Sequence, residues 1–182
     1  MQNECEFSEC RRYRYSLRHE VAPILSGSKN LKWIAWIGLN PSTADEGNLD
    51  PTLRRIRGFT SDWGFDGFVM LNLFAFRATD PTVMKAEPEP VGADNDRIID
   101  EATQGIPVVF CWGKHGDHLS RGESLAHRLL SRRDCHYLKL NGDGSPAHPL
   151  YLSKKLKLTS TDEGTWTNRT KIKIQKKKSA TS

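Results

Sequence analysis

The sequence predicts a three-layer α/β fold with a mainly parallel, four-stranded central sheet. Four short segments are continuously apolar and rich in aromatic or β-branched residues, which is typical of strands that are buried on both faces. Segments with helical periodicity separate them, and this alternation favours a parallel sheet between two helical layers. We expect a single domain over residues 1–160 and a basic, flexible tail over residues 161–182, which contains the lysine-rich run KIKIQKKK.

The first predicted strand covers residues 32–38 (KWIAWIG) and follows an N-terminal stretch, residues 1–30, that reads as a short basic strand or helix and a loop. Downstream of this strand, Asp50 is placed to cap the N-terminus of a helix, and Pro51 suits the first helical position. The sequence therefore predicts a helix over residues 52–64.

The rest of the chain continues this alternation of strands and helices. Short apolar runs bounded by glycine or polar residues predict strands, and apolar residues three or four positions apart predict helices. The proline-containing segment 77–95 predicts a long loop with room for a short helical turn. The further predicted elements are strands over residues 68–73, 106–113 and 135–140 and helices over residues 95–104 and 122–133.

Polar groups follow the predicted strands, at the edge of the sheet where α/β folds bind ligands. Asn40 follows the first strand, Asn72 ends the second, and His148 lies in the loop after the fourth. An asparagine amide offers a donor and an acceptor to a base edge or a water molecule, and a histidine can donate to an oxygen that becomes negative. We expect these groups to converge on a small planar ligand. Turn formation by Asn40, sheet capping by Asn72 and an ordinary loop position for His148 stay open as alternatives.

The composition indicates a basic protein without membrane segments. The chain has 182 residues, a formal net charge of +5 and no apolar run near the roughly 20 residues of a membrane span. The N-terminus lacks the apolar core of a signal peptide, so we expect a cytoplasmic monomer. The four cysteines form no C-x-x-C pair, and we expect neither a metal nor a cofactor. The positive charge permits a nucleic-acid partner.

The order of these motifs resembles that of the uracil-DNA glycosylase superfamily over residues 33–156. That superfamily has a G-x-[D/N/A]-P motif after its first strand, an asparagine at the end of its second strand and a Trp/Leu-Gly pair closing its third. It also has a late His-Pro loop with a leucine shortly after it. The matching segments here are GLNP at Gly38–Pro41, VMLNLFAFRA with Asn72, VVFCWGKHG with Trp112 and Gly113, and HPLYLSKK with His148 and Leu152.

The resemblance implies a uracil-DNA glycosylase-like fold and base excision from DNA. It implies that Asn40 orients the hydrolytic water, that Asn72 recognises the extruded base and that His148 stabilises the negative charge developing on the pyrimidine O2. It also implies that Leu152 helps to fill the gap left by the flipped nucleotide. The complete expected site adds Gly38, Leu39, Pro41, Ser42, Phe74, Arg77, Trp112 and Gly113 for the substrate and Arg54, Arg55, Lys114 and Lys154 for DNA.

The chain also resembles a narrower group, the bacterial and phage family known as domain of unknown function 1643. Its hallmark segments are present here as LNPSTADEGNLDPTLRR, NLFAFRATDP, PVGADND, CWG and HPLYL. This family brings no established activity. The functional expectation therefore depends on the wider superfamily, which is an analogy at the level of the fold.

Three departures from the superfamily pattern refine this expectation. Asn40 stands where the most active uracil enzymes have aspartate, and an amide cannot take up a proton as a carboxylate does. Ser42 is small where the selective enzymes carry a bulky tyrosine, so we expect a pocket that admits a pyrimidine substituted at C5. Leu150 replaces a serine that contacts phosphate, which weakens the case for ordinary DNA binding.

Three functions stay open at this point. The first is an enzyme that hydrolyses the N-glycosidic bond of a pyrimidine in DNA or in a nucleotide. The second is a protein that binds a modified base or a nucleotide without cleaving it. The third is another nucleotide-processing enzyme that uses Mg²⁺, for which the candidate acids are Asp45, Asp50, Asp94 and Asp96.

Overall fold

The computed structural model of the chain describes residues 4–21, 30–42 and 49–166. Within these residues, one seven-stranded sheet has the strand order β1-β2-β4-β3-β5-β6-β7. The strands are β1 (Glu4–Phe7), β2 (Arg14–Glu20), β3 (Trp33–Gly38), β4 (Gly67–Asn72), β5 (Val108–Phe110), β6 (Cys135–Tyr137) and β7 (Thr159–Thr161).

The four central strands run parallel to one another, and the outer strands are antiparallel to their neighbours. β4 pairs with β3, β3 with β5 and β5 with β6 in parallel, whereas β1, β2 and β7 make antiparallel pairs. The parallel strands are the four that the sequence predicts. The expected total of four was wrong, because the described sheet has seven strands. β1, β2 and β7 are short or carry polar residues, so they lack the apolar run that marks a buried strand.

Helices cover both faces of this sheet. Ile34 and Trp36 of β3 pack in one core cluster, and Ala35 and Ile37 pack in the other, because successive strand residues face opposite sides. The helices are α1 (Pro51–Asp62), α2 (Pro81–Ala86), α3 (Asn95–Ala102) and α4 (Arg121–Leu130), with 3₁₀ segments at Lys114–Ser120 and Pro149–Tyr151. Residues 163–166 are also helical. α1 belongs to the first cluster, and α3 and α4 belong to the second. The fold is therefore mixed α/β.

The predicted start of α1 is confirmed. A side-chain oxygen of Asp50 accepts the backbone N–H of Leu53 at 2.7 Å, and Pro51 occupies the first turn. The buried face of the helix includes Ile56 and Phe59, three positions apart, so the amphipathic spacing of the sequence places α1 against the sheet. This start also fixes Asp50 at the carboxyl edge of the sheet.

The C-terminal part of the described chain packs on the same sheet. Thr161 pairs with Cys135 across β7 and β6. Trp166 is 1% exposed and contacts the rings of Phe110 and Trp112, with ring centroids 5.3 and 5.9 Å away. The lysine run at 171–178 lies outside the described residues, so the expected flexible tail stays a prediction. In the part of the chain that the structure describes, no helix combines the length and apolar character of a membrane span.

Candidate functional site

A cavity of about 870 Å³ opens beyond the carboxyl ends of β3, β4 and β5. It lies on the side of the sheet that α1 covers, because Leu53 and Met70 of that core cluster line it. We call it the strand-end cavity, and its size suits a ligand the size of a nucleotide. The predicted site residues that line it are Gly38, Leu39, Asn40, Ser42, Asn72, Trp112, Gly113, Lys114, His148 and Leu152.

Asn72, the last residue of β4, brings a buried polar group to this cavity without a partner. The residue is 1% exposed, and among the described residues neither Nδ2 nor Oδ1 has a hydrogen-bond partner. A buried amide that is left unpaired costs about 1–3 kcal/mol. The alternative of sheet capping is not what the structure shows, since the amide bonds no backbone group of the described chain.

Gly38 keeps space beside this amide. β3 and β4 pair Gly38 with Asn72 in register. A Cβ atom at position 38 would lie 2.5 Å from Cε of Met70 and 3.0 Å from Oδ1 of Asn72. A side chain here would therefore crowd Met70 and Asn72, which gives a physical reason for glycine at the end of β3.

The turn after β3 fixes the orientation of Asn40. Its Nδ2 donates to the carbonyl oxygen of Ala78 at 2.7 Å and to that of Pro41 at 3.1 Å. Both N–H groups of the amide are used, so Oδ1 is the atom left to interact with a water molecule or a ligand. The turn-forming alternative for Asn40 is therefore correct, and it is compatible with a position in the cavity wall.

Asp50 forms part of the same wall. Its Oδ1 accepts the backbone N–H of Leu53 at 2.7 Å, and its Oδ2 accepts the hydroxyl of Ser42 at 3.0 Å. These two bonds hold the carboxylate in place and turn the Ser42 hydroxyl toward it. The sequence identified Asp50 as a helix cap and a candidate acid, and the structure adds its place in the cavity.

A tight loop after β6 carries His148 to the cavity. The backbone N–H of Ala147 donates to the carbonyl of Lys139, and that of Gly113 donates to the carbonyl of Pro146, both at 2.8 Å. The second bond ties the His148 loop to the loop after β5. Gly113 has a φ of +72°, which favours glycine at this junction.

The surroundings of His148 keep its ring neutral at pH 7. The residue is exposed at the cavity. Partial desolvation of the ring lowers its pKa, and the nearby Asp50 carboxylate opposes that shift. Nδ1 accepts the backbone N–H of Leu150 at 3.5 Å. In the neutral ring Nε2 therefore carries the proton and acts as a hydrogen-bond donor.

Arg14 also lines the cavity, although no pattern in the sequence singles it out. In the β1–β2 pairing, Glu6 opposes Ser16 and Phe7 opposes Arg14, so Tyr15 is an extra residue. Such a β-bulge re-aims side chains. Its result here is that Arg14 lines the cavity while Tyr15 packs in the core on the opposite face. An irregular register of this kind has no signal in a single sequence.

Arg14 is buried without an ion pair in the described part of the chain. The residue is 4% exposed, and its Nε has no hydrogen-bond partner among the described residues. No carboxylate of residues 4–21, 30–42 or 49–166 forms an ion pair with it. Burial lowers the pKa of the guanidinium and Arg77 adds to the shift, while Cys5 and Asp50 oppose it. Arginine nevertheless keeps its proton in proteins.

His115 contributes a second histidine to the cavity wall. Its Nδ1 lies 3.0 Å from Nζ of Lys85 on α2. Burial lowers the pKa of the ring, and the positive charges of Lys85 and Lys114 add to this effect. The predicted 77–95 loop therefore contains a helix, α2, that reaches the edge of the site.

Tyr151 and Leu152 differ in exposure. Leu152 is half-buried and packs against the α1 core cluster, and its carbonyl accepts a hydrogen bond from Arg55. Tyr151 lines the cavity and is 92% exposed. The insertion of Leu152 into a duplex stays a prediction, and Tyr151 is the exposed ring at the rim of the cavity.

Several predicted site residues lie outside the cavity lining and contact other parts of the protein. Phe74 is fully buried in the core, Arg55 stacks on Phe59 with 4.8 Å between the guanidinium carbon and the ring centroid, and Arg77 lies over the ring of Phe7. The ligand contacts expected for this group therefore stay predictions. The predicted residues that do not line the strand-end cavity are Pro41, Arg54, Arg55, Phe74, Arg77 and Lys154.

The candidate acids do not gather around a metal site. Asp94 pairs with Arg97, and Asp96 pairs with Arg121 and Arg128. Asp45 lies outside the described residues. Within the described ranges, no three histidine, cysteine or acidic side chains are close enough together to hold a metal ion.

Comparison with known proteins identifies a family but no activity. A family model described as "Protein of unknown function (DUF1643)" matches residues 14–150 of the chain. No curated protein matches, and no solved structure matches. The resemblance to uracil-DNA glycosylases gains no support from these comparisons.

Proposed function

We propose a function for this chain, which belongs to the DUF1643 family of proteins of unknown function, from its strand-end cavity. It recognises a pyrimidine base and hydrolyses the N-glycosidic bond between that base and its sugar. The observation that carries this proposal is the buried Asn72 amide, which has no partner among the described residues and lines a nucleotide-sized cavity.

The amide of Asn72 matches the edge of a pyrimidine. Its Nδ2 donates and its Oδ1 accepts, so it can make two hydrogen bonds to the O4 and N3–H groups of a uracil-type base. A site that hydrogen-bonds such groups also discriminates strongly against ligands that lack them, because the buried polar atoms would then stay unpaired. The free energy lost by burying Asn72 is recovered when the base binds.

His148 supplies a donor for the leaving base. Its Nδ1 accepts a backbone N–H, and its neutral ring therefore presents the Nε2–H group. When the bond between C1′ and N1 breaks, its electron pair moves onto the base, and negative charge builds up on O2 and N1. A donor aimed at that charge stabilises the transition state.

Asn40 is suited to orienting the water molecule. With both N–H groups fixed on backbone carbonyls, its Oδ1 accepts a hydrogen of the water. The water oxygen bonds to C1′ as the base departs. One water proton passes to the base through solvent, and the products are the free base and a sugar with a hydroxyl at C1′. The amide positions the nucleophile without itself taking up the proton.

The base site admits a pyrimidine with a substituent at C5 in this proposal. Ser42, which stands where selective uracil enzymes have a bulky residue, turns its small hydroxyl toward Asp50 at 3.0 Å. The residue lines the cavity, so no large side chain at position 42 blocks the space beside the base.

A second candidate function is the recognition of a modified base without cleavage. The specific observation in its favour is Asn40 itself. Its amide nitrogen is engaged in the turn, and an amide oxygen is too weak a base to remove a proton from water. In this case the cavity binds the base and leaves the glycosidic bond intact.

Base release distinguishes the two functions. Oligonucleotides and free nucleotides carrying uracil, thymine or 5-hydroxymethyluracil are incubated with the protein, and the released base is measured by chromatography. We expect release that falls about 10²- to 10³-fold in His148→Ala and is unchanged in His127→Ala, whose side chain pairs with Glu123 on α4. Binding of these compounds without release would establish the second function. If the protein neither releases a base nor binds any of these compounds, both proposed functions are contradicted.

A further inference from the structure

Arg14 requires an explanation that base recognition does not give. A charge that is taken out of water without a counter-charge costs several kcal/mol. Arg14 is 4% exposed, forms no ion pair with the described residues and lines the strand-end cavity. The β-bulge at Tyr15 places it there. A buried cation that lines a cavity is suited to bind an anionic group of a ligand.

Asp50 acts on this cation only from a distance and forms no ion pair with it. It lies in the same cavity, but no ion pair joins the two side chains. Its oxygens accept the Leu53 N–H and the Ser42 hydroxyl, and these bonds hold the carboxylate in the cavity wall. The guanidinium therefore keeps donors for a ligand.

We propose that the strand-end cavity takes a free pyrimidine nucleoside monophosphate and that Arg14 binds its phosphate. This inference rests on the proposed function, because it keeps Asn72 as the group that binds the base. The planar guanidinium fork matches two phosphate oxygens, and the hydrogen bonds between the two charged groups are strong. A volume of about 870 Å³ accommodates base, sugar and phosphate together.

A DNA strand does not offer a phosphate of this kind. Its phosphates bridge two sugars and follow the protein surface, whereas Arg14 is enclosed. Of the cations expected to hold a DNA backbone, Lys114 lines the cavity, whereas Arg54, Arg55 and Lys154 do not. Arg55 instead donates to the carbonyl of Leu152. The inference thus departs from the DNA substrate that the sequence resemblance implies.

Calorimetric titration tests this inference with four probes: deoxyuridine, its 5′-monophosphate, its 3′-monophosphate and a single-stranded oligonucleotide with internal uracil. We expect one of the monophosphates to bind about 10- to 100-fold more tightly than the nucleoside. In Arg14→Met this preference disappears while the nucleoside still binds. Equal affinities of nucleoside and monophosphates, or a preference that survives in Arg14→Met, would overturn the inference.

Arg18→Met is the matched control, because Arg18 lies on the same strand, is exposed and stacks over Trp33. This variant removes an equal positive charge outside the cavity. We expect it to keep the preference for the monophosphate. A second measurement needs no variant: inorganic phosphate at millimolar concentration competes with the monophosphate for the wild-type protein but not with the nucleoside. Absence of this competition would count against Arg14 as the phosphate site.

The outcomes separate this inference from the proposed function. Base release from the oligonucleotide without a preference for either monophosphate would leave the glycosidase proposal standing and overturn the free-nucleotide substrate. A preference that depends on Arg14, without base release, would support the inference and contradict hydrolysis. Failure of all four probes to bind would overturn both.

Discussion

Two buried pairs of asparagine and arginine lie around the end of β4, and they differ in how their polar groups are satisfied. In the first pair, Asn95 donates to the carbonyls of Asn72 and Leu73, both at 3.1 Å. Arg121 donates to the carbonyl of Leu73 at 3.0 Å and pairs with Asp96. Of this pair, only Oδ1 of Asn95 lacks a partner among the described residues.

The second pair, Asn72 and Arg14, has the same chemistry and comparable burial. Asn72 is 1% exposed and Arg14 is 4% exposed, against 0% for Asn95 and 8% for Arg121. Here the side-chain amide and the guanidinium Nε have no partners in the described chain, and both residues line the strand-end cavity. The contrast separates polar groups that hold the fold together from groups that are kept for a ligand.

The largest expected effect is on stability and comes from the two arginines. Arg121→Met removes the bonds to Leu73 and Asp96, and we expect the free energy of unfolding to fall by about 2–3 kcal/mol, because Asp96 is half-exposed and the pair is partly screened. Arg14→Met removes an unpaired buried charge and leaves stability unchanged or higher. Urea denaturation measures both variants. Equal losses of unfolding free energy in the two variants would contradict the distinction between the two asparagine–arginine pairs.

The next largest effects are expected from substitutions of the two asparagines. Asn95→Leu abolishes two hydrogen bonds to backbone carbonyls and lowers the free energy of unfolding by about 1–2 kcal/mol. Asn72→Leu leaves it unchanged within about 0.5 kcal/mol, since no bond of the described chain is lost, but weakens pyrimidine binding at least about 100-fold. Urea denaturation measures the stability of each variant, and calorimetry on the same protein samples measures its affinity for the base. A destabilised Asn72→Leu protein that still binds the base would contradict the account.

Gly38→Ala tests the space beside Asn72. The added Cβ would meet Cε of Met70, which can move, and Oδ1 of Asn72, which is less able to yield. We expect affinity for the base to fall about tenfold, the equivalent of one hydrogen bond. Gly58→Ala is the control, because a Cβ atom at Gly58 would contact nothing within 4 Å. Unchanged affinity in Gly38→Ala would mean that the base does not approach this face of Asn72.

The smallest effect concerns His19, which shares β2 with Arg14. Burial lowers the pKa of His19, and Arg57 adds to that shift. The unfolded chain therefore binds a proton below its ordinary pKa of about 6.5 that the folded chain does not, and stability falls as the pH drops from 7 to 5. We expect His19→Gln to reduce this loss. An identical pH dependence in both proteins would show that His19 is not kept neutral by folding.

The parallel centre of the fold could be predicted because its strands are continuously apolar. KWIAWIG and FVMLNL correspond to β3 and β4, and Asp50 caps α1 as the sequence indicates. The outer antiparallel strands could not be predicted in this way, because RYSLRHE in β2 places Arg14 and His19 in buried positions. These two side chains are buried because β2 pairs with β1 and β4. No local sequence pattern predicts this burial.

The candidate site was predictable in outline but not in its chemistry. The rule that ligands bind beyond parallel strand ends brings Asn40, Asn72 and His148 to one cavity. The sequence does not show that Asn72 lacks a partner whereas Asn95, also buried, is bonded to the backbone. Nor does it show that a β-bulge turns Arg14 inward. These facts depend on tertiary contacts.

The most direct test of the central claim observes the Asn72 side chain itself. In ¹⁵N-resolved NMR spectra, the Nδ2H₂ signals of Asn72 and Asn95 are assigned from their absence in Asn72→Leu and Asn95→Leu. Deoxyuridine, thymidine, 5-hydroxymethyldeoxyuridine and their 5′-monophosphates are then added. We expect at least one compound to shift the Asn72 signals strongly and to leave the Asn95 signals in place. Asn72 signals that stay unmoved by all six compounds at millimolar concentration would contradict it.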